Sequence, residues 1–373
     1  MLIGCPKEIK AQEHRVGMVP SSVKEFVMRG HKVIVETGAG MGINFTDDDY
    51  KAAGAEIRQT AKEIFDEADM IIKVKEPQIP ECKMLREGQV LFTYLHLAPD
   101  PEQTKALMES KCVAIAYETV TGPNGHGLPL LAPMSEVAGR LSVLVGAHGL
   151  MKHLGGTGRL ISGVPGVLPA SVLVIGGGVS GFNAAKVAVG MGADVTILER
   201  NHDRLRFLDD YFKGQAKVVY STQDYIDQAV QTADMVIGAV LIPGAAAPKL
   251  ITKEMLKTMN PGTVLVDISI DQGGCFETSK ATTHNDPTYV IDDVVHYCVA
   301  NMPGAVPLSS ALALNHAVLP YALRLADKGW KQAMMEDPNL RNGLNVFKGE
   351  ITYQSVAESL NLPFNPAPTE LAA

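Results

Sequence analysis

The stretch Ser171-Val172-Leu173-Val174-Ile175-Gly176-Gly177-Gly178-Val179-Ser180-Gly181 decides how this chain is read. Val172 to Ile175 is apolar without alternation, which predicts a strand buried on both faces. Gly176, Gly178 and Gly181 then follow at G-x-G-x-x-G spacing, and Val179 to Gly190 reads as a helix. A lone glycine motif is weak, but strand, turn and helix in this order supply the setting that the motif needs. Gly176 permits a tight turn, Gly178 lets backbone approach a pyrophosphate, and Gly181 lets helix and strand pack closely, with the helix N-terminus facing the anion. The next strand, Asp194 to Leu198, leads to Glu199, about 20 residues past the turn, where a carboxylate accepts hydrogen bonds from the adenosine ribose hydroxyls. NAD is therefore favoured over NADP, although Arg200 follows directly and is able to attract a 2′-phosphate.

Working outward, Val218-Val219, Asp234 to Ile237, Val264 to Val266 and Tyr289 to Ile291 bring the count to six strands, that of a complete doubly wound dinucleotide-binding sheet. Upstream, Lys32 to Val35, Met70 to Val74, Gln89 to Phe92 and Cys112 to Ala116 alternate with helical segments such as Ser21 to Arg29 and Pro101 to Glu109. That order predicts a second parallel sheet with covering helices. Ser135 to Leu150, after the turn-rich Thr121 to Gly127, has helical spacing and stands where a link between two domains belongs. After Pro303 and Pro307 the pattern is helical up to Trp330; this tail falls outside the six-strand count, and pattern alone leaves open whether it returns to the first domain. The Pro-rich end, Pro363 to Pro368, reads as frayed.

Composition agrees with two globular cores. The 373 residues are 46% hydrophobic and 20% charged, and 33 Lys plus Arg against 41 Asp plus Glu give a net charge of −8. With no long basic run, nucleic acid and anionic membrane surfaces are poor partners. Two uncharged stretches, Leu160 to Ala185 and Val294 to Leu323, are long enough to span a bilayer, but prolines, glycines and histidines interrupt both. Met1 to Glu8 lacks the order of a signal peptide, so a cytoplasmic location is expected. Five widely spaced cysteines without C-x-x-C suggest reduced thiols, and ten histidines without H-E-x-x-H suggest no metal.

A hydride-transfer enzyme needs cations to hold an acidic substrate and a group that exchanges a proton with its reacting atom. Lys75 and His96 follow first-domain strands, and Asp271 follows the strand Val264 to Ile268; all three sit at edges where open sheets place ligands. Each also has an ordinary reading: a strand-end lysine is usually solvated, and a lone histidine after a strand is usually a surface or satisfied core residue. Arg15 alone looks like an exposed loop charge, and Gln272 to Cys275 like a flexible turn.

Taken together, seven segments resemble the alanine dehydrogenase family over essentially the whole chain: Met1 to Glu8, Glu13 to Val16, Lys73 to Pro77, Tyr94 to Ala98, Pro133 to Arg140, Asp271 to Cys275 and Val299 to Pro307. The resemblance implies NAD-dependent, reversible oxidative deamination of L-alanine to pyruvate and ammonia. It implies that Arg15 and Lys75 hold pyruvate, that His96 and Asp271 serve the acid-base steps, and that Tyr94, Met134, Ser135 and Asn301 line the site. Val179, Ser221, Met302, Ser135 and Asp271 then join Gly176, Gly178, Gly181 and Glu199 as cofactor contacts. The implied fold is α/β with two doubly wound domains, a dinucleotide-binding Rossmann domain (131–304) inserted into a discontinuous substrate domain (1–130 and 305–373), in a homohexamer. Closure of the cleft would join Lys75 and His96 to Asp271. Three departures stand out: Leu308-Ser309-Ser310-Ala311 where the family usually has Arg-Thr-Ser-Thr, Ala246 where it has a lysine, and Glu199 where Asp is common. Two other readings share the plan: a transhydrogenase NAD-binding subunit, and an NAD-sensing protein without turnover. A related enzyme acting on glyoxylate or serine is a third.

Overall fold

The computed structural model describes residues 1–240 and 247–367. Ala246 and Pro368 lie outside the described residues. The chain divides into two compact units, Met1–Met134 with Val306–Ala373, and Ser135–Ala305.

The first unit opens with β1 (Leu2–Cys5), β2 (Lys32–Glu36), β3 (Glu56–Arg58), β4 (Met70–Ile72), β5 (Val90–Thr93) and β6 (Val113–Ala116), all paired in parallel. Every residue of β4, β5 and β6 is buried, as strands covered on both faces must be.

The second unit contains β7 (Ser171–Ile175), β8 (Asp194–Glu199), β9 (Ala216–Tyr220), β10 (Met235–Gly238), β11 (Val264–Asp267), β12 (Thr288–Ile291) and β13 (Val294–Tyr297). Their order is β9-β8-β7-β10-β11-β13-β12. This corrects the sequence reading: the sixth parallel strand is β13, and Tyr289 to Ile291 belongs to an antiparallel edge. The two strands are joined by Asp292 and Asp293, both at positive φ (50° and 62°), a two-residue hairpin without the usual glycine signal. The helix Val179–Gly190 has the predicted bounds and turns Ala184, Ala185 and Ala188 into a core with Val172, Val174 and Ile197. Small side chains let it lie close to the sheet.

The tail then adds β14 (Leu344–Phe347) and β15 (Glu350–Ile351) to the first sheet, giving the order β3-β2-β1-β4-β5-β6-β14-β15. β14 runs antiparallel to β6. The helix Pro307–Lys328 is fastened by Asn315, whose buried amide donates to the Val16 carbonyl (3.2 Å) and accepts from the Val19 N–H (2.9 Å) and Ser22 Oγ (3.0 Å). The expected frayed end is tied down at Phe364, which bridges to Ile351, and Asn365 N–H donates to the Ile351 carbonyl at 3.0 Å. All five cysteines are free and buried. No helix among the described residues is long and apolar enough to cross a membrane.

Candidate active site

Strand order reverses direction between β1 and β4 in the first sheet, and between β7 and β10 in the second. Open α/β sheets bind ligands at the carboxyl ends of strands beside such a point.

In the first unit, side chains furnish this edge. Lys73, wholly buried just past β4, donates to Glu8 Oε2 (3.0 Å) and Glu81 Oε1 (2.7 Å). Burial alone would lower the lysine's pKa, but the two carboxylates outweigh it and keep the ammonium charged. Burial raises the Glu8 carboxyl above its usual value against the pull of Lys73. Glu8 Oε1 also accepts the N–H groups of Val74 (2.6 Å) and Lys75 (3.3 Å), so one buried carboxylate fixes the backbone that presents Lys75. Lys75 Nζ stands 3.7 Å from Glu76 Oε2. Burial would raise the Glu76 carboxyl, yet Lys75, Lys10 and His96 together bring it below the usual range.

His96 lies past β5 with a left-handed φ of 47°, a conformation that costs a non-glycine residue on the order of 1 kcal/mol. Glu118 holds it there, accepting the N–H of Leu95 (3.1 Å) and of His96 (2.6 Å). The imidazole stacks on Tyr94, with centroids 5.7 Å apart and planes 11° apart. It is 42% exposed, open to a reacting partner. The Tyr94 hydroxyl donates to the Leu130 carbonyl (2.6 Å), and burial raises its pKa so that it stays protonated.

Arg15 is not the exposed charge it resembles in sequence: it is 2% exposed. Its Nε and Nη2 donate to Glu13 at 2.6 and 2.5 Å, and Nη1 lies 3.1 Å from Met134 Sδ. A cavity of about 140 Å³ beside it is lined by Lys7, Glu8, Glu13, His14, Arg15 and Gly42, among others. The first unit thus gathers Arg15, Lys75, Tyr94, His96 and Met134 around carboxylates that are buried or, for Glu118, half-buried. Of those partners, Glu8, Glu13, Glu81 and Glu118 were not singled out in the sequence; Glu8 and Glu13 stand in segments that carried the resemblance.

In the second unit, backbone furnishes the edge. Gly176 has φ 101°, and a Cβ at Gly181 would stand 1.7 Å from the Gly176 carbonyl oxygen. Both glycines are required by the turn itself. Gly178 differs: nothing lies within 4 Å of a Cβ built there, so the cradle is open outward, as a dinucleotide phosphate requires. Val179, 42% exposed, starts the helix. Glu199 Oε2 accepts the Gly177 N–H at 2.8 Å, and Oε1 accepts those of Arg200 (2.7 Å) and Asn201 (2.9 Å). Those bonds place the carboxylate at the turn, and its two oxygens retain acceptor capacity for ribose hydroxyls. Ser221 is buried beside it, its N–H donating to the Glu199 carbonyl at 2.9 Å and its carbonyl accepting Arg200 Nε at 3.3 Å. Arg204, not singled out in the sequence, donates to the Gly177 carbonyl at 2.6 Å.

Ser135, on the helix Ala132–Gly149, Asp271 and Asn301 also belong to the second unit. Asn301 has φ 61°, and its carbonyl accepts the Gly304 N–H (2.9 Å). Met302 is 3% exposed and packed in the core, which leaves little of its side chain open. Asp271 is exposed on the short helical turn Ile268–Gln272, after β11. The segment after it is no flexible turn. Lys249 Nζ donates to the carbonyls of Gly273 and Gly274, and the Leu250 N–H donates to the Cys275 carbonyl at 2.8 Å.

The family described as Alanine dehydrogenase/PNT matches residues 4–138 with its N-terminal domain and 142–354 with its C-terminal domain. The chain belongs to the alanine dehydrogenase/PNT family. A member of that family, the alanine dehydrogenase of Halomonas elongata, is 57% identical over 364 residues, covering 98% of each chain. A solved L-alanine dehydrogenase of the family has a TM-score of 0.93 at 48% identity, covering 97% of this chain and 99% of that one. The transhydrogenase of Sinorhizobium meliloti has a TM-score of 0.82 at 24% identity, which is a likeness of fold.

Proposed function

We propose that this chain is an NAD-dependent alanine dehydrogenase that interconverts L-alanine with pyruvate and ammonia. The observation that carries the reading is the match to an alanine dehydrogenase over 98% of both chains, in a fold that retains a cation pair, an imidazole and an exposed carboxylate at its strand ends. Bound NAD supplies the acceptor for the hydride of the amine-bearing carbon. Gly176, Gly178, Val179 and Gly181 would hold its pyrophosphate, Glu199 its adenosine ribose, and Ser135, Ser221, Asp271 and the Met302 backbone would complete its contacts.

The remaining steps fall to side chains. Arg15, steadied by Glu13, takes the substrate carboxylate on its Nη1 side, where the weakly accepting Met134 thioether gives way to a charged partner. Lys75 Nζ donates to the reacting oxygen and polarises the carbonyl. His96 moves a proton at an imidazole nitrogen, and Asp271 orients the water that releases ammonia. Tyr94 and Asn301 line the site. Domain 1–130 with 305–373 acts as the substrate domain and 131–304 as the NAD domain. We assign a cytoplasmic homohexamer. One methylene changes discrimination by only about 1–3 kcal/mol, which brings glyoxylate within reach as a side substrate.

The test is NADH oxidation by purified protein with pyruvate and ammonium, beside ammonia-free, glyoxylate and NADPH reactions. Ammonia-dependent turnover of pyruvate with NADH is expected. Tight NADH binding without turnover would replace the reading with a transhydrogenase-like or sensing role, and would direct attention to Leu308-Ser309-Ser310. Light scattering in solution tests the hexamer.

A further inference from the structure

After β11 the chain makes an excursion that carries the exposed Asp271 on the short helical turn Ile268–Gln272. Its two flanks converge on one side chain, Asp267, which is wholly buried. Oδ1 of Asp267 accepts the Ser269 N–H at 3.0 Å and so starts the turn Ile268–Gln272 that carries Asp271. Oδ2 accepts from the far flank: the Cys275 N–H at 2.9 Å, the Phe276 N–H at 3.4 Å and Ser279 Oγ at 2.5 Å. The Cys275 thiol, 3.5 Å from Oδ1, completes the set. Gly274, with φ 73°, lies so close that a Cβ there would stand 2.6 Å from Oδ2. A single carboxylate therefore closes the loop, with Oδ1 holding the flank before Asp271 and reached by the Cys275 thiol, and Oδ2 holding the flank after it.

A carboxylate with no cation among these partners costs free energy to bury, and an apolar residue would fill the strand end without that cost. What the carboxylate supplies, and an amide cannot, is acceptor capacity on both oxygens at once. We infer that Asp267 is a positioning residue for the reaction: its bonds to Ser269 and to Cys275, Phe276 and Ser279 fix the site of the Asp271 carboxylate. The inference rests on the alanine dehydrogenase reading and on the acid-base role given there to Asp271. Lys249, donating to Gly273 and Gly274, secures the same loop from its exposed side.

The experiment is a double-mutant cycle on the full-length protein with Asp267→Asn and Asp271→Asn, scored by kcat, KM for pyruvate and the Kd of NADH from fluorescence. Asp267→Asn replaces one acceptor oxygen by a donor and is expected to lower kcat at least tenfold, with NADH affinity and KM each within about threefold of the parent. Combined with Asp271→Asn it is expected to add nothing to the loss. Lys249→Met, which leaves the buried cluster intact, is expected to lower kcat a fewfold with the same unchanged NADH Kd; it carries the test if Asp267→Asn does not fold. An Asp267→Asn protein with the parent's kcat would overturn the inference. So would a double variant whose loss is the product of the two single losses, or a Lys249→Met protein that loses NADH binding in step with turnover. A parent protein without ammonia-dependent turnover overturns the reaction reading itself, and the inference with it; a turning-over parent with a failed cycle overturns the inference alone.

Discussion

The two sheets share one strand order, β3-β2-β1-β4-β5-β6 and β9-β8-β7-β10-β11-β13, and fill the same position in it with opposite materials. After β1 comes Pro6-Lys7-Glu8, and after β4 comes Lys73-Val74-Lys75; after β7 comes Gly176-Gly177-Gly178. One edge is built from buried charges, the other from backbone without side chains. Under the proposed function, the difference follows from what each would hold. A small carboxylate substrate is recognised by a few strong, directed charges, whereas a pyrophosphate needs a row of N–H groups and room for the chain to approach. The topology dictates where a ligand sits, and the loop chemistry dictates which one.

That contrast can be broken most forcefully at His96. His96→Asn tolerates the left-handed backbone but removes the imidazole, and turnover should fall about 10²- to 10⁴-fold with NADH affinity unchanged, as steady-state rates and fluorescence titration would show. Next is Lys73→Met, which leaves Glu8 and Glu81 buried without their cation. Denaturant unfolding should report a loss of about 3–5 kcal/mol. On the backbone-built side the damaging change is an addition. Gly181→Ala drives a Cβ against the Gly176 carbonyl and should cost about 3 kcal/mol, while Gly178→Ala should leave the melting temperature alone and weaken NADH binding about tenfold. If Gly178→Ala binds NADH as the parent does, the open cradle is not the phosphate site.

The smallest effect is expected at a carboxylate remote from the acid-base chemistry. Asp47 accepts from Thr37 Oγ1 (2.6 Å) and the Gly38 N–H (2.8 Å), which hold its carboxyl below the usual 3.8. A lowered carboxylate stabilises the fold above its unfolded pKa, and this contribution vanishes as the pH falls through the folded value. Asp47→Asn should therefore lower stability at pH 6 by under about 1 kcal/mol, after allowance for solvent screening, with the gap to the parent narrowing on acidification below the usual 3.8. Melting curves at pH 6 and at a pH below 3.8 measure it.

The backbone-built edge was legible because its signal is local: strand, glycines and helix lie within twenty consecutive positions, and the helix Val179–Gly190 came out with its bounds. The charge-built edge was less so. Lys73 and Glu8 are separated by 65 positions, and nothing in a one-dimensional pattern couples them. Arg15 looked solvated because Glu13, its partner two residues away, reads equally well as a surface charge. β13 was passed over because its residues belong to a long uncharged run, with a buried His296 inside it and an Asp-Asp turn before it. The segment after Asp271 looked loose because glycines signal freedom in sequence, whereas here Gly274 allows the backbone to press against Asp267.

The order in which the polypeptide is made acquires a particular meaning from the pairing of β14 with β6. Until Leu344–Phe347 is synthesised, Val113–Ala116 is an edge of four apolar residues whose backbone groups lack one set of partners. Such an edge is a template for pairing with other chains. The ribosome delivers the whole of Ser135–Ala305 before it delivers the strand that covers that edge. The whole second unit is thus made while the β6 edge stands uncovered, and an uncovered edge of this kind favours aggregation during synthesis.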